Sequence, residues 1–347
     1  MTTQALTLPT TRFGTTDMRI TRVGFGAWAL GGAGWRWAWG TQDDEESRIA
    51  IRSAVEHGIN WIDTAAVYGL GHSEEIVAQA LQDIPRADRP FVFTKGGMVW
   101  DEHNRAAEPR RIADPRSLRR ELEGSLHRLR VERIDLYQLH WPAEDGTPLD
   151  VYWQTMLDFK AEGKVRAVGL SNHTAAQLDA AERIGHVDSL QPPFSAIHRD
   201  VARDELPWTT AHQTAVIVYS PMQAGLLTGA FTQERAASLS SGDWRSRSPD
   251  FTGDHLLRNL ALVDALRPIA ERYHTTVAAV AVAWTLAWPG VTGAIVGARR
   301  ASQVEGWLPA ATLELSDADV EEIATAIART GAGSGPARPV RRAVESA

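Results

Sequence analysis

The sequence predicts an α/β chain closed into a (β/α)8 barrel of the TIM type, on three observations. Short apolar runs alternate with helix-like segments from about residue 20 to about residue 330, the runs number eight, and polar side chains stand where several of them end. Apolar runs of this length, bounded by Gly or Pro, read as parallel strands buried on both faces. They fall at Thr21–Gly26, Asn60–Asp63, Phe91–Thr94, Ile134–Leu139, Ala167–Leu170, Ser189–Gln191, Ala215–Tyr219 and Gly293–Val296. Helical patterns separate them, among them Asp44–His57 (apolar at Ile49, Ile51, Ala54 and Val55), Pro115–Arg128, Asp150–Ala161 and Ala175–Ile184. Asn172-His173-Thr174 supplies N-cap chemistry for the last of these. A doubly wound sheet is the competing architecture.

Three stretches break the alternation. Leu8–Ile20 predicts a hairpin laid across the barrel bottom with Gly14 in its turn. Thr232–Asp254 is polar, with Ser238, Ser240, Ser241, Gly242, Ser246 and Pro249; a long loop without regular structure serves as a lid or binding loop. After Thr330 the chain turns to Gly331-Ala332-Gly333-Ser334-Gly335-Pro336, then Pro339 and Arg341-Arg342, which favours a frayed tail over a segment folded across a site. With no fixed-period repeat, residues 1–347 read as one barrel domain. Its core spans about 12–330, with a hairpin cap before it and extra helices and a tail (331–347) at its end.

The bulk numbers narrow the function. A chain of 347 residues with 44% hydrophobic content can bury a large single core or two modest ones. A net charge of −7 argues against nucleic acid, whose phosphates need a basic stripe. The absence of cysteine rules out disulfides, thiolate catalysis and cysteine metal sites, and fits a reducing cytoplasm. Met1–Thr7 lacks a basic region followed by an apolar core, so no signal peptide is expected. No run approaches the roughly 18 apolar residues of a membrane span. The expectation is a cytoplasmic monomer or small homo-oligomer acting on a small molecule.

Asp63, Tyr68, Lys95 and His140 each stand where an apolar run ends. A carboxylate, a phenol, an ammonium and an imidazole converging on the face where a barrel places its chemistry make a proton-transfer site. The bland alternative is a structural ion pair, Asp63 with Lys95, beside two packing residues. Other motifs fail. Gly24-Phe25-Gly26 would need a third glycine at Ala29, so the Rossmann fingerprint is absent. Gly169-Leu170-Ser171-Asn172-His173 lacks the second glycine of a nucleophile elbow. Ser171 and Asn172 at a strand end suit a carboxamide instead. The histidines show no metal spacing, and no metal site is expected. Gly297-Ala298-Arg299-Arg300-Ala301-Ser302-Gln303 offers helix amides and two guanidinium groups to an anion such as phosphate. Gly34-Trp35-Arg36-Trp37-Ala38-Trp39-Gly40 reads as the wall of a substrate pocket, with Trp28, Trp35, Trp37, Trp100 and Trp141 at the barrel mouth; the flanking glycines speak against a strand.

Asp63-Thr64-Ala65 with Tyr68-Gly69, Thr94-Lys95, Gln138-Leu139-His140-Trp141-Pro142 and Gly169-Leu170-Ser171-Asn172 together resemble the aldo-keto reductase superfamily, in order and over about residues 12–330. The likeness is nearest to the bacterial NADPH-dependent branch that has the potassium channel β subunits as distant relatives. It implies Tyr68 as general acid, Lys95 to lower the cost of its phenolate, Asp63 to hold Lys95, and His140 to orient the carbonyl. In some relatives this histidine is a glutamate and carbon–carbon double bonds are reduced, so His140 favours carbonyl reduction. The resemblance also implies NADPH, with NADH second. Its contacts would be Gly26, Ala27 and Trp28 after the first strand, and Ser171, Asn172 and Gln191 at the carboxamide. Tyr219 would lie under the nicotinamide, with Ser220, Met222, Gly225 and Leu226 at the pyrophosphate and Gly297, Arg299 and Gln303 at the 2′-phosphate region. Where relatives often hold adenine with an acidic residue and an asparagine, this chain has Gly306 and Trp307, an indole able to stack on a purine. Where relatives show Tyr-Asn it has Phe194-Ser195, expected to change the wall beside the cofactor. The alternatives are a slow redox-sensing or partner-binding barrel, and a dehydrogenase working oxidatively on a sugar or secondary alcohol.

Overall fold

In the computed structural model, which describes residues 8–240 and 243–339, eight parallel strands close into a barrel. We number them β1 (Val23–Gly26), β2 (Trp61–Asp63), β3 (Phe91–Gly96), β4 (Ile134–Leu139), β5 (Val165–Ser171), β6 (Ser189–Gln191), β7 (Ala215–Val218) and β8 (Gly293–Gly297). Each pairs with its neighbour in the sequence, and β8 closes on β1 through Ala294 opposite Val23 and Gly297 opposite Gly26. Helices cover the outside, including Asp44–Glu56, Pro115–Leu129, Leu149–Ala161 and Ala175–Glu182. Two follow β8, Ala301–Trp307 and Asp317–Thr330, one more than the barrel repeat requires. The doubly wound alternative is therefore excluded. Among the described residues no helix is long and apolar enough to cross a membrane.

Helix ends obey local chemistry. Thr174 accepts from the amide of Gln177 while the Gln177 side chain accepts from the amide of Thr174, a reciprocal cap that starts Ala175–Glu182. On Asp44–Glu56 the buried positions are Ser47, Ala50, Ile51 and Ala54, whereas Ile49, one of the apolar positions of the pattern, is exposed.

The barrel has a floor. Thr10–Arg12 and Arg19–Thr21 pair antiparallel, and Phe13, Met18 and Ile20 insert beneath Trp61, Phe93, Leu136, Ala167, Ala215, Ile217 and Ile295. Trp61 fills the interior because β1 carries Gly24 beside it: a Cβ there would lie 2.1 Å from the indole. The expected hairpin is thus present and plugs the bottom.

The segment expected to lack regular structure has some. It forms a short helix, Gln233–Ala237, and two single turns, Trp244–Arg247 and Pro249–Phe251, before the long helix Gly253–Arg272; Ser241 and Gly242 lie outside the described residues. Trp244 and Phe251 supply the apolar contacts that a count of its serines concealed. The tail is not frayed over residues 331–339. Ala332 is buried, and the amide of Ser334 donates to the carbonyl of Ile197 at 2.9 Å while the amide of Arg199 donates to that of Ser334 at 3.0 Å. The buried Arg199 guanidinium also donates to the carbonyl of Ala332. Arg341 and Arg342 lie outside the described residues.

Glu121, on Pro115–Leu129, reaches back to accept from the amides of Gly97 (2.8 Å) and Met98 (3.2 Å), which fixes the chain just beyond β3. Burial pushes its carboxyl up to about 7. A carboxyl raised in the folded state keeps a proton that the unfolded chain releases, so its cost grows as pH rises from about 4.5 to about 7. Glu121→Gln keeps the acceptor and removes the titration. Wild-type thermal stability should fall relative to this variant between about pH 5 and 8, by at most about 3 kcal/mol. Parallel pH curves in thermal unfolding would refute that account.

Candidate active site

The four polar residues meet at the carboxyl ends of β2, β3 and β4. Asp63 ends β2, Lys95 lies in β3, and His140 follows β4 with its amide bonded to the carbonyl of Gly96 at 3.0 Å. Lys95 Nζ donates to Asp63 Oδ1 at 2.5 Å, to the carbonyl of Thr64 at 2.9 Å and to the Tyr68 hydroxyl at 3.4 Å. From across the barrel, Gln191 at the end of β6 donates to Asp63 Oδ2 at 2.9 Å. The His140 ring stands edge-on to Tyr68 with centroids 5.6 Å apart, and its Nδ1 is buried with no partner.

The turn that carries Tyr68 is held by backbone contact. Gly69, Leu70 and Gly71 all have positive φ, and Leu70 (φ 58°) is a strained position for a branched side chain. Gly69 packs on Gly31 of the loop after β1 so closely that a Cβ on Gly69 would lie 2.3 Å from the Gly31 carbonyl oxygen. Asn172 (φ 62°) and Ser220 (φ 56°), just past β5 and β7, hold the same left-handed conformation beside the cavity.

Burial dominates the electrostatics. It pushes the Asp63 carboxyl up and the Lys95 ammonium down, each partly offset by the other's charge. Tyr68 is driven well above its ordinary value by burial and then by the Asp63 carboxylate. His140 is driven well below its own by burial and then by the charges of Lys95 and Arg111, which keeps the imidazole neutral at pH 7. A neutral imidazole carries one N–H and can donate to a carbonyl oxygen.

A cavity of about 1410 Å³ runs from this cluster in both directions. One arm passes Gly26, Ala27, Trp28, Asn172, Gln191, Tyr219, Ser220, Met222, Gly225, Gly297, Arg299 and Gln303 to Gly306 and Trp307. The other is walled by Trp37, Met98, Arg111, Trp141 and Glu144. The indole of Trp28 stacks on Tyr68 at 6.3 Å and on Trp244 at 6.2 Å, with Trp39 edge-on to both indoles.

Several expected residues sit elsewhere. Ser171 and Leu226 are buried and off the cavity surface; the Ser171 hydroxyl donates to the carbonyl of Gln191 and accepts from Asn172 Nδ2, bracing its neighbours. Lys95 lies behind Asp63 and Tyr68. Trp35 is buried under Tyr68 with its indole N–H on the carbonyl of Gly32, and Trp100 packs behind the wall, so neither lines the cavity. Phe194 stacks on Trp284 in the outer core at 5.4 Å, not beside the site. Trp39 lines the cavity, as expected of the tryptophan loop, and Arg111 and Arg245 line it although the sequence did not single them out. A guanidinium neighbour to Trp244 inside a serine-rich run was the available signal for Arg245.

The first arm fits a dinucleotide. Gly225, Gly297 and Gly306 leave its wall without side chains, and Arg235 and Arg299 supply positive charge along it, while Arg245 is paired with Asp243. Residues 22–328 match the model of the Aldo/keto reductase family. The chain belongs to this family. It is similar to the aldo-keto reductase YhdN of Bacillus subtilis (33% identical, covering 91% of this chain and 92% of that protein). It is also similar to an NADH-specific methylglyoxal reductase of Escherichia coli (34%, covering 91% and 98%). Among solved structures, a glycerol dehydrogenase from Gluconobacter oxydans superposes with a TM-score of 0.85 at 36% identity, covering 96% of this chain and 99% of that one. As an aldo/keto reductase, the protein is an oxidoreductase that acts on small carbonyl compounds with a nicotinamide cofactor.

Gly69→Ala should shift the turn that carries Tyr68. Overpacking of this kind destabilises by about 1–3 kcal/mol, and a displacement near 1 Å at a reacting group lowers turnover about 100-fold. Unchanged melting temperature and turnover would show that the Gly31–Gly69 contact is dispensable.

Proposed function

We propose that the chain reduces aldehydes and ketones reversibly with NADPH, with Tyr68 as general acid, acting as a single barrel domain in the cytoplasm. The observation that carries this is the Tyr68 hydroxyl 3.4 Å from Lys95 Nζ, with Lys95 bound to Asp63 and the neutral His140 alongside. When bound, the nicotinamide supplies the hydride. Tyr68 gives its proton to the carbonyl oxygen, and Lys95 stabilises the phenolate left behind. Asp63 keeps Lys95 charged and aimed, and Gln191 keeps Asp63 in place. His140 donates its one N–H to the carbonyl oxygen, positioning it and favouring the charge that grows there. In the oxidative direction the Tyr68 phenolate, stabilised by Lys95, takes the proton from the alcohol as hydride leaves for the oxidised nicotinamide.

The NADPH preference rests on Arg299. Its Nε donates to Gln42 Oε1 at 2.7 Å and one terminal nitrogen to the carbonyl of Thr41, so the fork is fixed in orientation. A fixed guanidinium pairs a phosphate well. Trp37, Met98 and Trp141 on the other arm suit an apolar or aromatic body on the substrate. The likeness to the glycerol dehydrogenase supports a second reading, oxidation of a polyol at the same tetrad.

Tyr68→Phe should lower NADPH-dependent reduction of 4-nitrobenzaldehyde by about 100-fold or more, the scale of one lost general acid, while NADPH still binds. Near wild-type turnover would overturn the tetrad assignment. Arg299→Ala should lower the NADPH-to-NADH ratio of kcat/KM by about tenfold, the scale of a lost charge-assisted bond; an unchanged ratio moves the phosphate ligand elsewhere.

A further inference from the structure

The arm of the cavity beyond Tyr68 and His140 ends in a feature that carbonyl chemistry does not require. Arg111 lies on a short antiparallel pair, Met98–Val99 with Arg110–Arg111, that walls this arm. Its guanidinium lies 4.4 Å over the Trp141 ring. One terminal nitrogen contacts Glu144 at 2.6 Å. The loop bearing Glu144 is itself tied down, its amide donating to the carbonyl of Arg111 at 3.0 Å.

We propose that Arg111 on its Trp141 platform is a subsite for a carboxylate carried by the substrate at the end remote from the carbonyl. The favoured substrates are then aldehydes or ketones with a flat or apolar body and a distal carboxylate. This rests on the tetrad being the reacting end, as proposed above. Three observations support it. The Glu144 side chain is 63% exposed and that of Arg111 32%. An exposed ion pair contributes only about 0–1 kcal/mol, so an incoming carboxylate exchanges with Glu144 at little cost. Asp145, the next acid on this rim, already accepts from the amides of Ala113, Asp114 and Thr147 and does not compete for Arg111. The charge of Arg111 also reaches the reacting end, being among the causes that hold His140 neutral. A guanidinium seated over an indole and bonded through one terminal nitrogen still has donors free for the oxygens of a carboxylate.

The test uses two aldehydes of nearly the same shape, 4-carboxybenzaldehyde and neutral 4-nitrobenzaldehyde. The readout is the ratio of their kcat/KM values, which cancels general damage to catalysis. Arg111→Gln should lower the carboxylate-to-nitro ratio by about tenfold or more, mainly through KM, the scale of a lost charge-assisted contact. Glu144→Gln, which removes the competitor, should raise it about threefold. Equal ratios in wild type and both variants overturn the subsite. Calorimetry with 4-(hydroxymethyl)benzoate separates it from the reductase reading. If wild type turns over neither aldehyde yet binds this alcohol in an Arg111-dependent way, the chemistry is misassigned and the subsite stands. Binding indifferent to Arg111→Gln overturns the subsite.

Discussion

The ion pair between Lys95 and Asp63 is the constraint around which the barrel top is built. Both groups are removed from water, at a desolvation cost of several kcal/mol each. Their attraction offsets that only when the remaining valences are filled. Here they are filled by the Thr64 carbonyl just past β2, the Tyr68 hydroxyl in the turn that follows and the Gln191 amide at the end of β6. β2 and β6 lie on opposite sides of the sheet and are brought within reach only by closure. Losing one partner leaves a buried charge uncompensated, a penalty of about 3–5 kcal/mol. The ion pair beside Tyr68 is therefore also a test of whether the barrel has closed correctly.

Two devices keep this pair dry and aimed. The hairpin plug with Trp61 fills the lower barrel with apolar side chains. Above, the left-handed Leu70 stores conformational cost beside Tyr68. That cost is sustained by the Gly31–Gly69 contact, where two backbones without side chains touch. A rigid floor and a strained rim are opposite solutions, and each suits its place.

The fold was legible because parallel strands buried on both faces write themselves as uninterrupted apolar runs, and the termini of those runs located Asp63, Lys95 and His140. Regular elements also have a parity that shows which side chains share a face. Outside them that rule lapses. The tryptophans at 35, 37 and 39 alternate as on a strand, yet the loop is not one: Trp37 and Trp39 line the cavity while Trp35 turns under Tyr68. Ser171 is the last residue of β5 and Asn172 the first beyond it, so one braces and the other faces the cavity. Segment 232–254 hid its structure because its apolar anchors, Trp244 and Phe251, are few and irregularly spaced. The tail's order comes from Arg199, about 130 residues away, which no local pattern reveals.

The column of rings that joins Tyr68 to Trp28 and Trp244 ties that phenol to the segment carrying Trp244 and Arg245, which borders the cavity. Two indoles stacked 6.2 Å apart, with a third edge-on to both, are close enough for their excited states to couple. The molecule thus carries its own optical reporter of whether that segment is seated. Near-ultraviolet circular dichroism would register the unstacking of Trp244 as loss of a paired indole band, with no label attached and no substrate turned over.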